Sequence, residues 1–164
     1  MVLIYLPDIL SSIVDRIAEE QPVYFMFGNW QELCNDLTEK GQIKSLEDKK
    51  YPLILLHNDY SEVITGKIVE VNGLKVYIIA QSEKEYSTQD RFEKTYANVL
   101  NPLYKFLMKR LKMDTSVIKD VTNIKHERKD LYYLYVGDKI NRLPDFLDAI
   151  ELQFPDFKYK LKKC

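Results

Sequence analysis

The sequence predicts a single domain, residues 1–164, of mixed helix-and-strand (α/β, α+β) class. Two observations carry this prediction. Apolar residues recur at helical spacing in three separate stretches, and short runs rich in β-branched and aromatic residues lie between and after them. A third observation, the scarcity of glycine (5) and proline (6), argues against disorder and against a loop-dominated chain. A chain of 164 residues suits one domain and buries roughly 70% of its unfolded surface, so its core needs neither a disulfide nor a metal.

Pro7 to Glu20 reads as the first helix: Pro suits a first helical turn, Asp8 suits the positive end of the dipole, and Ile9, Leu10, Ile13, Val14 and Ile17 share one face. Val23 to Phe27, between Pro22 and Gly28, reads as a buried strand. Asn29 then caps a second helix, with Glu32 completing a capping box, Trp30, Leu33, Cys34 and Leu37 on the apolar face, and Gly41 at the end. Gln42 to Tyr51 is polar and reads as a surface loop, and Leu53 to Leu56 as another buried strand. Val63 to Val71 and Leu74 to Ala80 read as the arms of a hairpin turning at Asn72-Gly73, because both turn residues tolerate positive φ. The second arm has a mixed face, Lys75, Tyr77, Ile79 and Gln81, which calls for a cover.

The longest helix is expected over Thr88 to Lys112, capped by Ser87 or Thr88 and kinked at Pro102. Its C-terminal lysines and Arg110 suit the negative end of the dipole, which explains that basic cluster without nucleic acid. The last third reads as strands: Val117 to Ile124, Leu131 to Val136, Ala149 to Phe154, and Phe157 to Leu161. In the last of these, aromatics and lysines alternate as on an edge strand.

Composition narrows function by exclusion. A net charge of −1 gives no global field toward nucleic acid or an anionic membrane. Cys34 and Cys164 form no disulfide framework, which suits a reducing compartment. The apolar start, Met1 to Leu6, is too short and unflanked for a signal peptide, and no run approaches a membrane span. The 12 tyrosines suit half-buried positions and surfaces later covered by a partner.

Chemical signatures are sparse. No glycine spacing makes a phosphate loop, no Gly-x-Ser-x-Gly elbow occurs, and Cys34 sits on the apolar side of a helix. His57 reads as a turn residue after a strand. His126 falls in the charged run Lys125 to Asp130, which reads as a solvated loop. A metal-dependent nuclease would need clustered carboxylates. Asp59 with Glu62, Asp148 with Glu151, and Glu47-Asp48-Lys49 are the combinations on offer. No catalytic residue, metal or cofactor is expected.

Several segments, taken in order, carry a resemblance. They are the N-terminal helix, the Tyr51-Pro-Leu-Ile-Leu-Leu56 strand, Val76-Tyr-Ile-Ile-Ala80, Arg91-Phe92 leading into Asn101-Pro-Leu-Tyr104, and Leu147-Asp-Ala-Ile-Glu-Leu152 before a last alternating strand. Together they resemble the tail-terminator (tail-completion) family of long-tailed phages, a phage head–tail joining family, and are similar to proteins of phages infecting gut Bacteroidetes. The resemblance implies helices packed on one face of a mostly antiparallel sheet. It also implies a structural, non-enzymatic virion protein, assembled in the host bacterial cytoplasm into a homo-oligomeric ring, with a hexamer favoured and a dodecamer possible. Such a ring caps the tail and meets tail-tube and neck/connector proteins, while genomic DNA only passes through the lumen; no membrane is involved. Ring contacts are heterologous, one patch meeting a different patch. Asn72 and Gly73, with Phe157, Tyr159 and Leu161 of the last strand, are the expected subunit interface. The Lys125 to Asp130 loop, through Lys125, Arg128 and Lys129, is the expected channel or partner-facing segment. Thr115 to Leu143 exceeds what a minimal terminator needs and reads as an added hairpin for a neck or sheath partner. Another neck ring, stopper or connector fits the same features; a metal-dependent nuclease or a small host adaptor is the alternative of another class.

Overall fold

In the computed structural model, residues 5–118, 123–136 and 139–161 are described, with side chains for all of these except 130–136 and 139–144. Cys164 and part of the expected Val117 to Ile124 strand lie outside the described residues.

Helix α1 (Leu6–Ala18) has Pro in its first turn and buries Leu6, Ile9, Leu10, Ile13, Val14 and Ile17, one stripe at helical spacing. Strand β1 (Tyr24–Gly28) leads directly into α2 (Trp30–Gln42). The capping box closes as its sequence requires: the Glu32 amide donates to Asn29 Oδ1 at 2.9 Å, and the Asn29 amide donates to Glu32 Oε2 at 2.8 Å. A Cβ at Gly28 would collide with that Glu32 carboxylate, so a larger residue there would push the capping side chain aside.

Strand β2 (Leu53–His57) runs parallel to β1, with α2 as the crossover, and antiparallel to β5 (Leu74–Gln81). Strands β6 (Lys125–Val136) and β7 (Lys139–Phe154) complete a five-stranded sheet of order β1-β2-β5-β7-β6. A second sheet has the order β3-β4-β8, from β3 (Ser61–Thr65), β4 (Ile68–Asn72) and β8 (Phe157–Lys160). The class is therefore mixed α+β with a largely antiparallel sheet.

Residue alternation along the strands separates two cores. Ile54, Leu56, Val76, Ile78, Ile150 and Leu152 join α1 and the long helix. Val69, Val71, Phe157 and Tyr159 of the second sheet join the same cluster. Leu53, Leu55, Tyr77, Ile79 and Ala149 face the other way and meet Leu33, Cys34 and Leu37 of α2. The cover required by the mixed face of β5 is thus α2. Helices on one face holds for α1 and the long helix, while α2 lies on the opposite face. The reason is the parallel β1–α2–β2 crossover, whose helix has its own apolar stripe to bury.

The long helix has three consecutive parts: Thr88–Asp90, capped by Ser87, a wide i→i+5 stretch Arg91–Leu100, and α-helical Asn101–Met113. The wide stretch ends at Asn101, whose amide reaches back to Tyr96, immediately before Pro102. Pro cannot donate the helical bond and crowds the preceding turn, and the helical repeat changes at that point.

Four expectations need correction. The hairpin does not turn at Asn72-Gly73. Val63 to Val71 is two strands, β3 and β4, joined at Gly66-Lys67, with Gly66 at φ 63° as a two-residue hairpin turn allows. Gly73, at φ 76°, is the bend by which the chain leaves one sheet and enters the other. Val23 to Phe27 is an edge strand with Phe27 exposed, not a buried one. Lys125 to Asp130 is not a loop but the start of β6, paired with β7 from Lys125↔Gln153 to Asp130↔Asp148. The last strand is not an open edge either. Beyond its pairing with β4, the Lys160 amide donates to Ser116 O at 2.8 Å and the Ile118 amide to Lys158 O at 2.9 Å.

Candidate assembly surfaces

The β3–β4 hairpin is the most exposed regular structure among the described residues. Every residue of β3 is exposed, and Val63, Ile64 and Ile68 are 51%, 62% and 39% accessible. Strand β4 is anchored by Val69 and Val71 against Tyr159 and Phe157 of β8. At the hairpin base, the Tyr159 hydroxyl donates to Glu62 at 3.0 Å, and burial with that neighbouring charge pushes the phenol above its usual range. Burial likewise lifts Tyr60, where the hairpin begins, to about 12. Tyr60 lies 6.4 Å, centroid to centroid, from Phe27 of β1. Phe27 is itself 45% accessible on an edge strand, Tyr24-Phe-Met-Phe-Gly28, that carries no charge and no proline. Charged or proline-bearing edges resist pairing with other chains; this one carries neither safeguard.

The expected interface residues divide. Asn72 and Gly73 are exposed at the end of β4. Phe157 and Tyr159 are buried within the chain's own core, and Leu161 is half-buried against it. Strict alternation told that one face of β8 is apolar; it could not tell whether that face meets the same chain or a neighbour. Val63, Ile64, Ile68 and Phe27 were missed for the opposite reason, since an apolar residue in a short strand looks like core.

Lys125, Arg128 and Lys129 are not on one surface. Strand alternation places Lys125 and Lys129 on the α2 side of the sheet and Arg128 on the long-helix side. Lys125 pairs with Glu127, and Lys129 reaches Glu151 at 2.6 Å. Glu151 is buried, which works against its charge. Hydrogen bonds from Lys129, Gln153 and Tyr77 outweigh that and hold the carboxyl below its usual range. Beyond Leu147, β7 keeps only β6 as strand partner among the described residues. Tyr133–Val136 and Lys139–Arg142 therefore pair as a two-stranded arm, which lies within the Thr115 to Leu143 segment.

Of the carboxylate combinations, one pair is separated by the sheet. Asp148 and Glu151 lie on opposite faces of the sheet. Asp148 is fully buried beside Arg91 of the long helix, at 2.9 Å, whereas Glu151 faces Tyr77 and Lys129. Glu62 is engaged by Tyr159. Glu47 and Asp48 line a polar cavity of about 330 Å³ whose inner wall is Lys50, paired with Asp145 at 2.8 Å, and Tyr51, which donates to the same carboxylate. Among the described residues, no three His, Cys, Asp or Glu side chains are grouped to hold a metal ion. Burial raises the Cys34 thiol, away from reactive thiolate character. His57 ends β2 as a ring tilted against that of Trp30 at 5.3 Å, with its Nδ1 accepting the Asp59 amide; burial lowers its affinity for a proton. No helix among the described residues is long and apolar enough to cross a membrane.

No protein-family model matches the sequence, and no curated protein does.

Proposed function

We propose that this protein is a structural virion component that forms a ring at the head-proximal end of a phage tail, as a tail terminator or head–tail joining protein. The observation that supports this most is the β3–β4 hairpin with Val63, Ile64 and Ile68 in solvent, together with the uncharged β1 edge around Phe27. One chain thus carries two unlike adhesive surfaces. Pairing one with the other of the next copy is a heterologous contact, which closes into a ring when the rotation permits. Covering each aliphatic side chain recovers part of the roughly 1.5–3 kcal/mol that full burial of such a group is worth. In this reading the interface moves from Phe157 and Tyr159 to the hairpin, and a hexamer is the favoured ring. Its partners are tail-tube and neck proteins, with DNA passing through the lumen. The β6–β7 arm also suits another neck ring, stopper or connector, since it extends past the sheet where a second protein could grip it.

Light scattering of the purified chain, followed by negative-stain imaging of the same sample, tests the reading. Discrete rings are expected, formed alone or with tail-tube protein, and Ile64→Ser with Val63→Ser should abolish them while leaving the melting temperature nearly unchanged. A chain that stays a monomer at every concentration and with tube and neck partners sinks the proposal.

A further inference from the structure

Strand β6 carries three cations whose surroundings differ. Lys125 and Lys129 each have a carboxylate partner. Arg128, between them, pairs with no carboxylate among the described residues. Its guanidinium instead lies 5.1 Å from the Phe92 ring centroid and 5.2 Å from that of Tyr96, both on the long helix. Aromatic rings hold a guanidinium by its flat face and leave the in-plane N–H edge free.

Arg128 also lines a cavity of about 80 Å³, with Asn101, Tyr104, His126 and Ile150. A water occupies roughly 30 Å³ of liquid, so the space suits two or three waters or one small oxyanion. The His126 ring packs 5.7 Å from that of Tyr104, His126 exposed and Tyr104 half-buried. Among the described residues the lining offers an Arg fork, an imidazole, a phenol and a carboxamide, and no carboxylate, in a chain with 25 acidic residues.

We propose that Asn101, Tyr104, His126 and Arg128 form a binding site for a phosphate-type anion. The donors converge from two elements, a helix and a strand. A planar carboxylate is satisfied by the Arg fork alone, whereas a tetrahedral oxyanion accepts from several directions at once. The inference does not depend on ring assembly. The shared chemistry is a phosphate group, supplied either by a free anion or by the backbone of DNA.

The test is titration of the full chain with inorganic phosphate, followed by calorimetry and ³¹P NMR. Saturable binding is expected. Arg128→Gln should weaken it about 10- to 100-fold, and Tyr104→Phe about 3- to 10-fold. Lys125→Gln, on the other face of the same strand, should leave it unchanged. Melting curves establish that each variant is folded, and Tyr104→Phe keeps the test decisive if Arg128→Gln is not. A short DNA duplex that displaces phosphate with the same variant pattern identifies backbone phosphate as the source; a duplex that leaves phosphate bound identifies a free anion. Absence of saturable binding, tighter binding of acetate than of phosphate, or an equal loss in Lys125→Gln overturns the site. So does full binding by Arg128→Lys, which would reduce the effect to general charge attraction.

Discussion

Strands β2 and β3 are both five residues long and begin only eight residues apart, yet their environments are opposite. Leu53, Ile54, Leu55 and Leu56 are all buried, while every residue from Ser61 to Thr65 is exposed. Strand β2 has a paired neighbour on each side and helices against both faces. Among the described residues, strand β3 has one neighbour and no helix over its aliphatic side chains. The contrast teaches that a valine or isoleucine in a strand is a statement about what surface it can meet, not about whether this chain supplies that surface. Stability resides around β2; β3 is left to meet something else.

The largest expected effect lies where the two helical layers are tied to the sheet. Asp148→Ala leaves Arg91 buried beside a lost partner and should cost about 3–5 kcal/mol, read by urea unfolding. A loss under 1 kcal/mol would show that this pair does not hold the long helix to β7. The matched pair Ile54→Ala and Ile64→Ala sharpens the comparison directly. The first should cost about 2–5 kcal/mol by opening a cavity, and the second under about 0.5 kcal/mol. Equal losses would mean that β3 is covered in the isolated chain. The smallest effect is a pH dependence. His57 binds its proton less readily in the fold than in the unfolded chain, because burial disfavours the charged ring. Its contribution is therefore complete above the ordinary value of about 6.5 and is lost as pH falls through the lowered folded value. Melting temperature should decline between pH 7 and pH 5, and the His57→Gln variant should lose that part of the slope.

Local chemistry carried much of the fold. Asn29 and Glu32 wrote the start of α2, the Ile and Leu spacing of α1 wrote its buried stripe, and Leu53 to Leu56 declared a strand covered on both faces. The hairpin was ambiguous because two glycines with positive φ, Gly66 and Gly73, stand seven residues apart, and either can turn a chain. The choice was made by β8, nearly ninety positions later, which pairs with β4 and draws it out of the first sheet. The charged run from Lys125 read as a loop because its compensation is remote. Glu151 meets Lys129 and the rings of Phe92 and Tyr96 hold Arg128, contacts that exist only once β7 and the long helix are in place.

What the sequence determined by itself was therefore local: helix starts, apolar periodicity, the positions of β1, β2 and β5, and the α+β class, all set by contacts within a few residues. Tertiary structure alone decided which turn closes a hairpin, which face of β8 is inward, and how the cations of β6 are divided between two surfaces. It also decided that Asp148 and Glu151 point apart. These depend on partners brought together from distant positions, and a period-two pattern is the same whichever partner covers it.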